Sequence, residues 1–170
     1  PPAKPVIAAG STGSIPAAAD LLAVVARLPA GAVVLPGLDT ELDVESWNAI
    51  GERGTESHPQ YGLRKLLVHL RAERDDVALW PGVDVAASQR ARTRLLSEAL
   101  RPADTTSLWR ARLGLLRPEA DAALEGLSLV VAPTQREEAG AIALLMRGTL
   151  ETPGKTAALI APDRALGRRV

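Results

Sequence analysis

The sequence contains no cysteine, no phenylalanine and one methionine. Without cysteine the chain can form neither a disulfide bond nor a thiolate metal site. Its two histidines, His58 and His69, are too few for a zinc site unless carboxylates supply the remaining ligands. We therefore expect no bound metal ion and no cofactor in this chain.

Aromatic side chains are also scarce, since Trp47, Tyr61, Trp80 and Trp109 are the whole set. Such residues can stack on unpaired bases of a nucleic acid. Filling a hydrophobic core is their commoner use. The sequence leaves both roles open for each of the four.

The chain lacks an excess of charge of either sign, with 20 basic and 20 acidic residues. That balance is far from the basic composition of a dedicated nucleic-acid module. No apolar run approaches the roughly 20 residues of a membrane span, and the N-terminal residues lack the layout of a signal peptide. Composition favours a cytoplasmic globular protein, and the absence of an initial Met predicts a piece of a longer one.

The N-terminal residues predict a parallel βαβ unit. Val6 and Ile7 begin one short apolar strand, and residues 32–35 form another of the kind that is buried on both faces. Apolar residues at helical spacing lie between them, with Ser14 as predicted N-cap and Pro16 in the first turn. A strand, helix and strand in so short a span imply a right-handed crossover.

A second unit of this kind is predicted at the C-terminal end. Residues 127–131 and 156–160 have strand composition, and Thr134 with Glu137 forms a capping box for the helix between them. Asp163 is predicted to cap a final helix.

The residues between these units predict helices. Residues 61–74 carry an apolar stripe, and residues 88–100 repeat it with Ser88 as cap and Leu95, Leu96, Ala99 and Leu100 facing inward. Further helices are expected around Trp109 and over residues 118–124. The predicted fold class is α/β, with a parallel-strand unit at 1–44, a mainly helical insertion at 45–125 and a second unit at 126–170. One compact unit is the alternative.

Charge is unevenly distributed along the chain. Residues 39–56 hold six acids and one base, whereas residues 64–117 hold eleven bases and six acids. The basic side chains could form a track for DNA phosphates, which supply most non-specific affinity. The alternative is a solvated helix face. The candidate DNA-binding residues are Arg64, Lys65, Arg90, Arg92 and Arg94, with Arg110 and Arg112 nearby.

Three other motifs carry weak signals. Gly154-Lys155-Thr156 ends like a phosphate-binding loop, but it follows a predicted helix and opens a predicted strand, which is the wrong order. The turn at residues 10–14 lies between a strand and a helix N-terminus, where an anion can bind, but it fits no dinucleotide fingerprint, and a tight turn with close backbone approach is the commoner use of its glycines. Asp39, Asp43 and Glu45 could gather a cation, although a solvated acidic loop is commoner. No set of nucleophile, base and orienting acid is recognisable, so we expect no catalytic residue.

Four phrases resemble the AddB family of bacterial double-strand-break repair subunits, which partner AddA. They are PVIAAGSTGSIPAAADLLAVVARLPAGAVVLPGLDTELD, HPQYGLRKLL, LLSEALRP and the last 44 residues, LSLVVAPTQREEAGAIALLMRGTLETPGKTAALIAPDRALGRRV. The resemblance implies an interior piece of a P-loop NTPase-related, helicase-like region. ATP, Mg²⁺ and an iron–sulfur cluster would then belong to the wider complex, and DNA and an AddA-type subunit would be its partners.

The resemblance also implies a silent ATPase site. Active helicases of this superfamily end the corresponding strand with an Asp-Glu pair that holds Mg²⁺ and orients the attacking water. Ala8 and Ala9 stand at that place here, and residues 36–40 keep only fragments of the next motif. Arg168 falls where the superfamily has a nucleotide-contacting arginine, with Arg164 and Arg169 as neighbouring alternatives.

We therefore expect a catalytically inactive helicase-like scaffold with a DNA-contact surface, acting in end resection and homologous recombination. Two alternatives remain. One is a nucleotide-binding α/β enzyme that uses the Gly154-Lys155-Thr156 turn, and the other is a module that docks a partner subunit through an apolar patch.

Overall fold

The computed structural model describes residues 2–170, and its helix-rich α/β chain divides into two compact units between Glu125 and Gly126. Among the described residues, none of the helices combines the length and apolar character that a membrane span requires.

A small parallel sheet opens the first unit. Strand β1 (Val6–Ala9) pairs with β2 (Gly31–Val34), with Val6 opposite Gly31 and Ala9 opposite Val34. Helix α1 (Pro16–Ala26) connects them and buries Ala19, Leu22, Ala23 and Val25. The predicted strand–helix–strand unit is thus confirmed, although β2 is only partly buried and not enclosed on both faces.

Helix α1 begins one residue later than expected from the prediction that Ser14 is its N-cap. Its N-cap is Ile15, which offers no side-chain bond, and Pro16 occupies the first turn, where its missing N–H has no intrahelical partner to lose. The return to β2 is tight at Gly31, where a Cβ would lie 1.9 Å from the carbonyl oxygen of Val25. A residue without a side chain is therefore required there.

The remainder of the first unit is helical. Asp43 caps α2 (Val44–Ala49), and α3 (Tyr61–Leu70) follows, ending four residues before the predicted Arg74. Of its predicted stripe, Leu63, Leu66 and Leu67 are buried and Leu70 is half-buried. Helices α4 (Ala87–Ala99), α5 (Trp109–Leu116) and α6 (Ala120–Leu124) complete the unit, with 3₁₀ turns at Arg74–Asp76, Ala103–Leu108 and Arg117–Glu119.

The predicted packing of α4 is wrong for three of its four inward-facing residues, since Leu95 alone is half-buried. Its N-cap is Ala86 and not Ser88, and Leu96 and Leu100 are about half exposed, while Ala91, Ser97 and Glu98 are buried. The apolar pattern cannot reveal that Glu98 is buried, because the ion pair that compensates it, with Arg101, is completed by Asp43, which is distant in sequence.

Two hydrophobic clusters form the core of the first unit. One comprises Leu42, Trp47, Ile50 and Leu67, and the other comprises Ala19, Leu22 and Leu66 with Ala8 and Val33 packed against it. Helix α3 contributes Leu66 to one cluster and Leu67 to the other. The sheet and the helices that follow it therefore share one core through α3.

The second unit contains α7 (Gln135–Leu150) and α8 (Arg164–Arg169). The Thr134 cap is confirmed, since its hydroxyl accepts from the Glu137 N–H and donates to the Glu137 carboxylate at 2.9 Å. The Asp163 cap is also confirmed, with its carboxylate accepting from Ala165 N–H at 2.7 Å. Arg169 ties α8 to α7 by donating to the Gln135 amide oxygen at 2.7 Å.

The two strands predicted in the second unit are wrong. Residues 127–131 and 156–160 form no strand, and Leu129, Val131 and Ile160 are 90, 83 and 95% exposed. Strand composition describes side chains that suit a sheet, but a strand exists only when a neighbouring strand supplies hydrogen bonds. No such neighbour is present among the described residues of this unit.

Candidate nucleic-acid interface

The basic residues of α3 lie beside Trp47. Arg64 is half-buried, donates to the Trp47 carbonyl oxygen and places its guanidinium 5.9 Å from the centre of the Trp47 ring. Lys65 is exposed on the same helix. Trp47 itself is buried in the core, so of its two open roles the structure supports core filling.

A second arginine covers the same ring. The Arg74 guanidinium lies 5.0 Å from the centre of Trp47 and donates to the Leu42 carbonyl oxygen at 2.7 Å. Arg74 also approaches the highly exposed Asp75 at 3.8 Å, a surface pair of little energy. Cation–π contact with Trp47 thus orients both guanidinium groups, and among the described residues the weak Asp75 contact is the one ion pair that either of them makes.

These side chains line a cavity of about 470 Å³, here called the Trp47 cleft. Arg71 joins Arg64 and Arg74 in its lining, and Glu73 is the one acid, so the lining carries a net charge of +2. Arginine suits phosphate oxygens because its planar fork can donate two parallel hydrogen bonds. The cleft can therefore hold an anionic group such as a backbone phosphate.

Arg71 has an uncommon backbone conformation. It ends α3 with φ +58°, in the left-handed region that favours glycine, and its N–H donates to the carbonyl oxygens of Leu67 and Val68. The conformation is the ordinary way to close a helix, but a glycine would adopt it with less strain. The residue instead carries an exposed cationic side chain at the edge of the cleft.

The arginines of α4 are placed differently. Arg92 donates to the carbonyl oxygens of Ala123, at 3.0 Å, and Glu125, and so holds the end of α6. Arg94 pairs with Glu119 at 2.7 Å and with Glu41 at 3.3 Å, and these carboxylates raise the pKa of its guanidinium. Arg90 is exposed and donates to the Val85 carbonyl oxygen. All three are thus engaged with the protein itself, Arg90 through a single exposed hydrogen bond.

A buried ionic cluster lies elsewhere in the first unit. The Arg101 side chain has no exposed surface, donates to both Glu98 oxygens at 2.9 and 2.7 Å, and pairs with Asp43 at 2.6 Å. The Ser46 hydroxyl accepts from Arg101 and donates to the Thr105 hydroxyl. We call Asp43, Ser46, Glu98, Arg101 and Thr105 the Arg101 cluster. It joins α2, α4 and the turn before α5.

The cluster fixes the ionisation of Asp43. Burial alone would raise the pKa of this carboxyl, but hydrogen bonds from the Ser46 N–H and from Arg101 outweigh it and lower the pKa to about 2. Arg112 adds a further contact to Asp43 at 3.2 Å. The Asp43 carboxylate is therefore committed to its cap and its ion pair and is not the cation ligand considered above.

The other acidic and glycine motifs are also structural. Asp39 accepts from the N–H groups of Glu41 and Leu42, and Gln60 clamps the same segment through Asp39 N–H and Gly37 O. Within residues 2–170 no three His, Asp or Glu side chains gather as a metal site. At residues 10–14, a Cβ on Gly13 would lie 2.8 Å from Leu66 Cδ1, which confirms the predicted close approach.

The residues that the family resemblance singles out lie as follows. Ala8 packs against the core beside Val33, Ala9 ends β1, and neither has a side-chain oxygen that could bind a metal ion. Arg168 is exposed in the last turn of α8. Gly154-Lys155-Thr156 follows α7, and no helix begins until Arg164, so the segment lacks the helix N-terminus that a phosphate loop needs.

No protein-family model matches the chain, and no match was found among curated proteins or solved structures.

Proposed function

We propose that this chain is a catalytically silent, helicase-like part of an AddB-type DNA double-strand-break repair protein, in which it serves as scaffold and contacts DNA. The finer fold assignment, to P-loop NTPase-related helicase pieces, and a cytoplasmic location belong to the same proposal. Its partners would be DNA and an AddA-type subunit.

The Trp47 cleft is the observation that carries the DNA contact. Three arginines and one glutamate line it, and two of the guanidinium groups are held over a buried indole. Fixing the cations in advance reduces the side-chain entropy lost when a phosphate binds. Lys65 lies on the same helix and extends the positive surface.

The absence of carboxylates at Ala8 and Ala9 supports the silent ATPase. Two methyl side chains cannot bind Mg²⁺ or polarise water, so hydrolysis would have to occur in the partner subunit. An iron–sulfur cluster of the wider complex would likewise need ligands from elsewhere, because this chain has no cysteine.

Fluorescence polarisation with labelled single-stranded and duplex DNA, at about 50 and 200 mM salt, tests the DNA contact. We expect binding that weakens steeply with salt, because phosphate contacts release counterions. Arg71→Glu and Lys65→Glu should weaken it strongly, whereas Arg136→Glu, an exposed position on α7, should leave it unchanged. Binding that ignores salt, or that responds equally to all three variants, would contradict the proposal.

A docking module is the second candidate function, and it is favoured by the second unit. Helix α7 exposes Leu144, Leu145 and Leu150, and the flanking apolar segments are exposed too. An apolar surface of this kind is typical of a protein-binding site. Co-purification with an AddA-type subunit that persists at high salt, and is lost in Leu144→Glu, would support it.

The nucleotide-binding alternative makes a separate prediction. If Gly154-Lys155-Thr156 binds ATP, titration with a fluorescent ATP analogue should saturate, and Lys155→Ala should abolish the signal. A titration that does not saturate would be consistent with the proposed inactive ATPase site.

A further inference from the structure

Arg74 is a largely buried cation in the lining of the Trp47 cleft. Its side chain is 12% exposed, and besides the Trp47 ring it contacts the Leu42 carbonyl oxygen and, at 3.8 Å, the 95% exposed Asp75. A buried charge is ordinarily paired, because the loss of water is costly without a counter-charge. An exposed carboxylate at this distance compensates little of that cost, so an anion from outside the chain would be favoured.

The one acid of the lining, Glu73, is engaged in another contact. Its carboxylate accepts from the Asp76 N–H in a capping box at the start of the 3₁₀ turn, and the Asp76 carboxylate accepts from the Glu73 N–H at 2.8 Å. The cleft therefore keeps its net charge of +2 for a ligand.

That net charge distinguishes between the phosphates of a nucleic acid. A diester within a strand carries a single negative charge. A terminal monoester carries about two at pH 7, because its second pKa is about 6, and it presents three oxygen acceptors to the forked donors of arginine. The monoester therefore matches the charge of the lining, whereas a diester leaves part of it uncompensated.

A second cavity, of about 250 Å³, adjoins the Trp47 cleft, because Arg64 and Val68 line both. Its other lining residues are Gly51, Tyr61 and Lys65. Lys65 is exposed and supplies a positive charge, and the half-buried Tyr61 supplies an aromatic ring. A diester and a base are the groups that these two side chains would bind.

We propose that the Trp47 cleft binds the terminal phosphate monoester of a DNA strand. Arg64, Arg71 and Arg74 donate to the monoester oxygens. The first nucleotide lies over Val68, with its base against Tyr61 and its diester beside Lys65. This inference rests on the proposed DNA contact and adds to it the part of the strand that the cleft recognises.

Fluorescence polarisation of the full chain tests the inference with three internally labelled single strands of one sequence, which carry a 5′-phosphate, a 3′-phosphate or no terminal phosphate. At about pH 7.5, we expect one phosphorylated strand to bind about tenfold or more tighter than the unphosphorylated strand, because charge-assisted hydrogen bonds are added. At about pH 5 the monoester has lost most of its second charge, so the advantage should fall to about twofold or less.

Two negative results have different meanings. Salt-sensitive binding that is equal for all three strands would overturn this inference and leave the proposed DNA contact intact. Failure of all three strands to bind would overturn both.

Variants separate the monoester from the rest of the strand. Arg71→Gln, at an exposed position, should remove most of the advantage of the phosphorylated strand. Lys65→Gln should weaken the phosphorylated and unphosphorylated strands by the same factor, because both carry the diester. Arg136→Gln, at an exposed position on α7, should change neither. An advantage that survives Arg71→Gln in full would refute the assignment to this cleft.

Competition distinguishes a strand end from a free phosphate ion. Thymidine monophosphate, phosphorylated at the preferred end, should displace the strand at a concentration about tenfold lower than inorganic phosphate does, because its base stacks on Tyr61. Tyr61→Leu should remove this difference, and its urea midpoint checks the fold, since Tyr61 packs against the core. Equal displacement by the two competitors would mean that the cleft holds a phosphate ion alone and would overturn the inference.

Discussion

At the scale of single residues, Arg101 is the side chain on which most other groups depend. It has no exposed surface and it compensates two carboxylates, those of Asp43 and Glu98. Removing one partner of a buried ion pair leaves the other charge unpaired, which typically costs about 3–5 kcal/mol. The residue therefore matters to the free energy of unfolding more than any surface arginine.

We expect Arg101→Ala to destabilise the chain by about 3–5 kcal/mol in urea unfolding. The exposed Arg110→Ala is the matched control, and its effect should stay within about 0.5 kcal/mol. A loss below about 1 kcal/mol for Arg101→Ala would mean that the cluster is not buried in solution.

Asp43 makes the stability depend on pH at the acid end. Its folded-state pKa of about 2 lies below the ordinary 3.8, so the associated stability is fully present above pH 3.8 and is lost as the pH falls through 2. The shift corresponds to about 2 kcal/mol. Asp43→Asn should be less stable at neutral pH and should show a flatter loss between about pH 4 and 2, measured by denaturant midpoints. An equal loss of stability over this pH range in Asp43→Asn and in the unmodified chain would contradict this prediction.

If the proposed DNA contact is correct, Arg71 places stability and DNA binding in opposition. Arg71→Gly should raise the free energy of unfolding by several tenths to about 1 kcal/mol, because glycine adopts φ +58° with less strain. The same change should weaken DNA binding and reduce the slope of log affinity against log salt by about 0.9. Arg71→Lys keeps the charge and should retain most of the binding.

At the scale of elements, the connection from α1 to β2 leaves the least space for a side chain, at Gly31. Gly31→Ala should lower stability by about 1–3 kcal/mol, because its Cβ meets the Val25 carbonyl oxygen and the backbone must move. Gly114→Ala in α5 meets open space and should raise stability by up to about 1 kcal/mol through helix propensity. Thermal unfolding of the two variants should therefore shift in opposite directions.

The elements that sequence predicts correctly are those whose determinants are local. Thr134 and Asp163 cap their helices through bonds to residues two or three positions away, and the Leu63–Leu67 stripe needs only helical spacing. Residues 127–131 fail as a strand because their composition carries no information about a pairing partner. Leu96 and Leu100 fail as core residues because α4 instead buries Ala91, Ser97 and Glu98, and the Arg101 that pairs with Glu98 is itself held by the distant Asp43.

The candidate sites also combine residues that a local sequence pattern indicates with groupings that depend on tertiary packing. Arg64 and Lys65 could be chosen from the basic pattern of α3, but the grouping of Arg64 with Arg74 over Trp47 depends on how α2 packs. The Arg101 cluster had one local signal, the spacing of Glu98 and Arg101 three positions apart. That spacing usually marks a surface pair, so it could not indicate a buried one.

At the scale of the whole molecule, the two units differ in how much they bury. The first has two hydrophobic clusters and an internal ion network. Within the described residues of the second, Ala139 is the one buried side chain. Helices this poorly packed are marginal in water, because most helical stability comes from burying an apolar face.

We therefore expect residues 126–170, produced alone, to show weak helical circular dichroism without a cooperative thermal transition. Residues 1–125 should unfold cooperatively under the same conditions. A sharp transition in the shorter piece would show that its helices pack more tightly than the exposed leucines of α7 indicate.

The three tryptophans differ in environment in a way that makes the protein its own optical probe. Trp47 is 8% exposed, whereas Trp109 and Trp80 are 43 and 52% exposed, so acrylamide should quench the last two first. The emission that survives then belongs mainly to Trp47. The Arg64 and Arg74 guanidinium groups lie over that ring. An anion that draws them away from it will therefore change the emission wavelength and the fluorescence lifetime of Trp47, so occupancy of the Trp47 cleft can be followed without an attached dye.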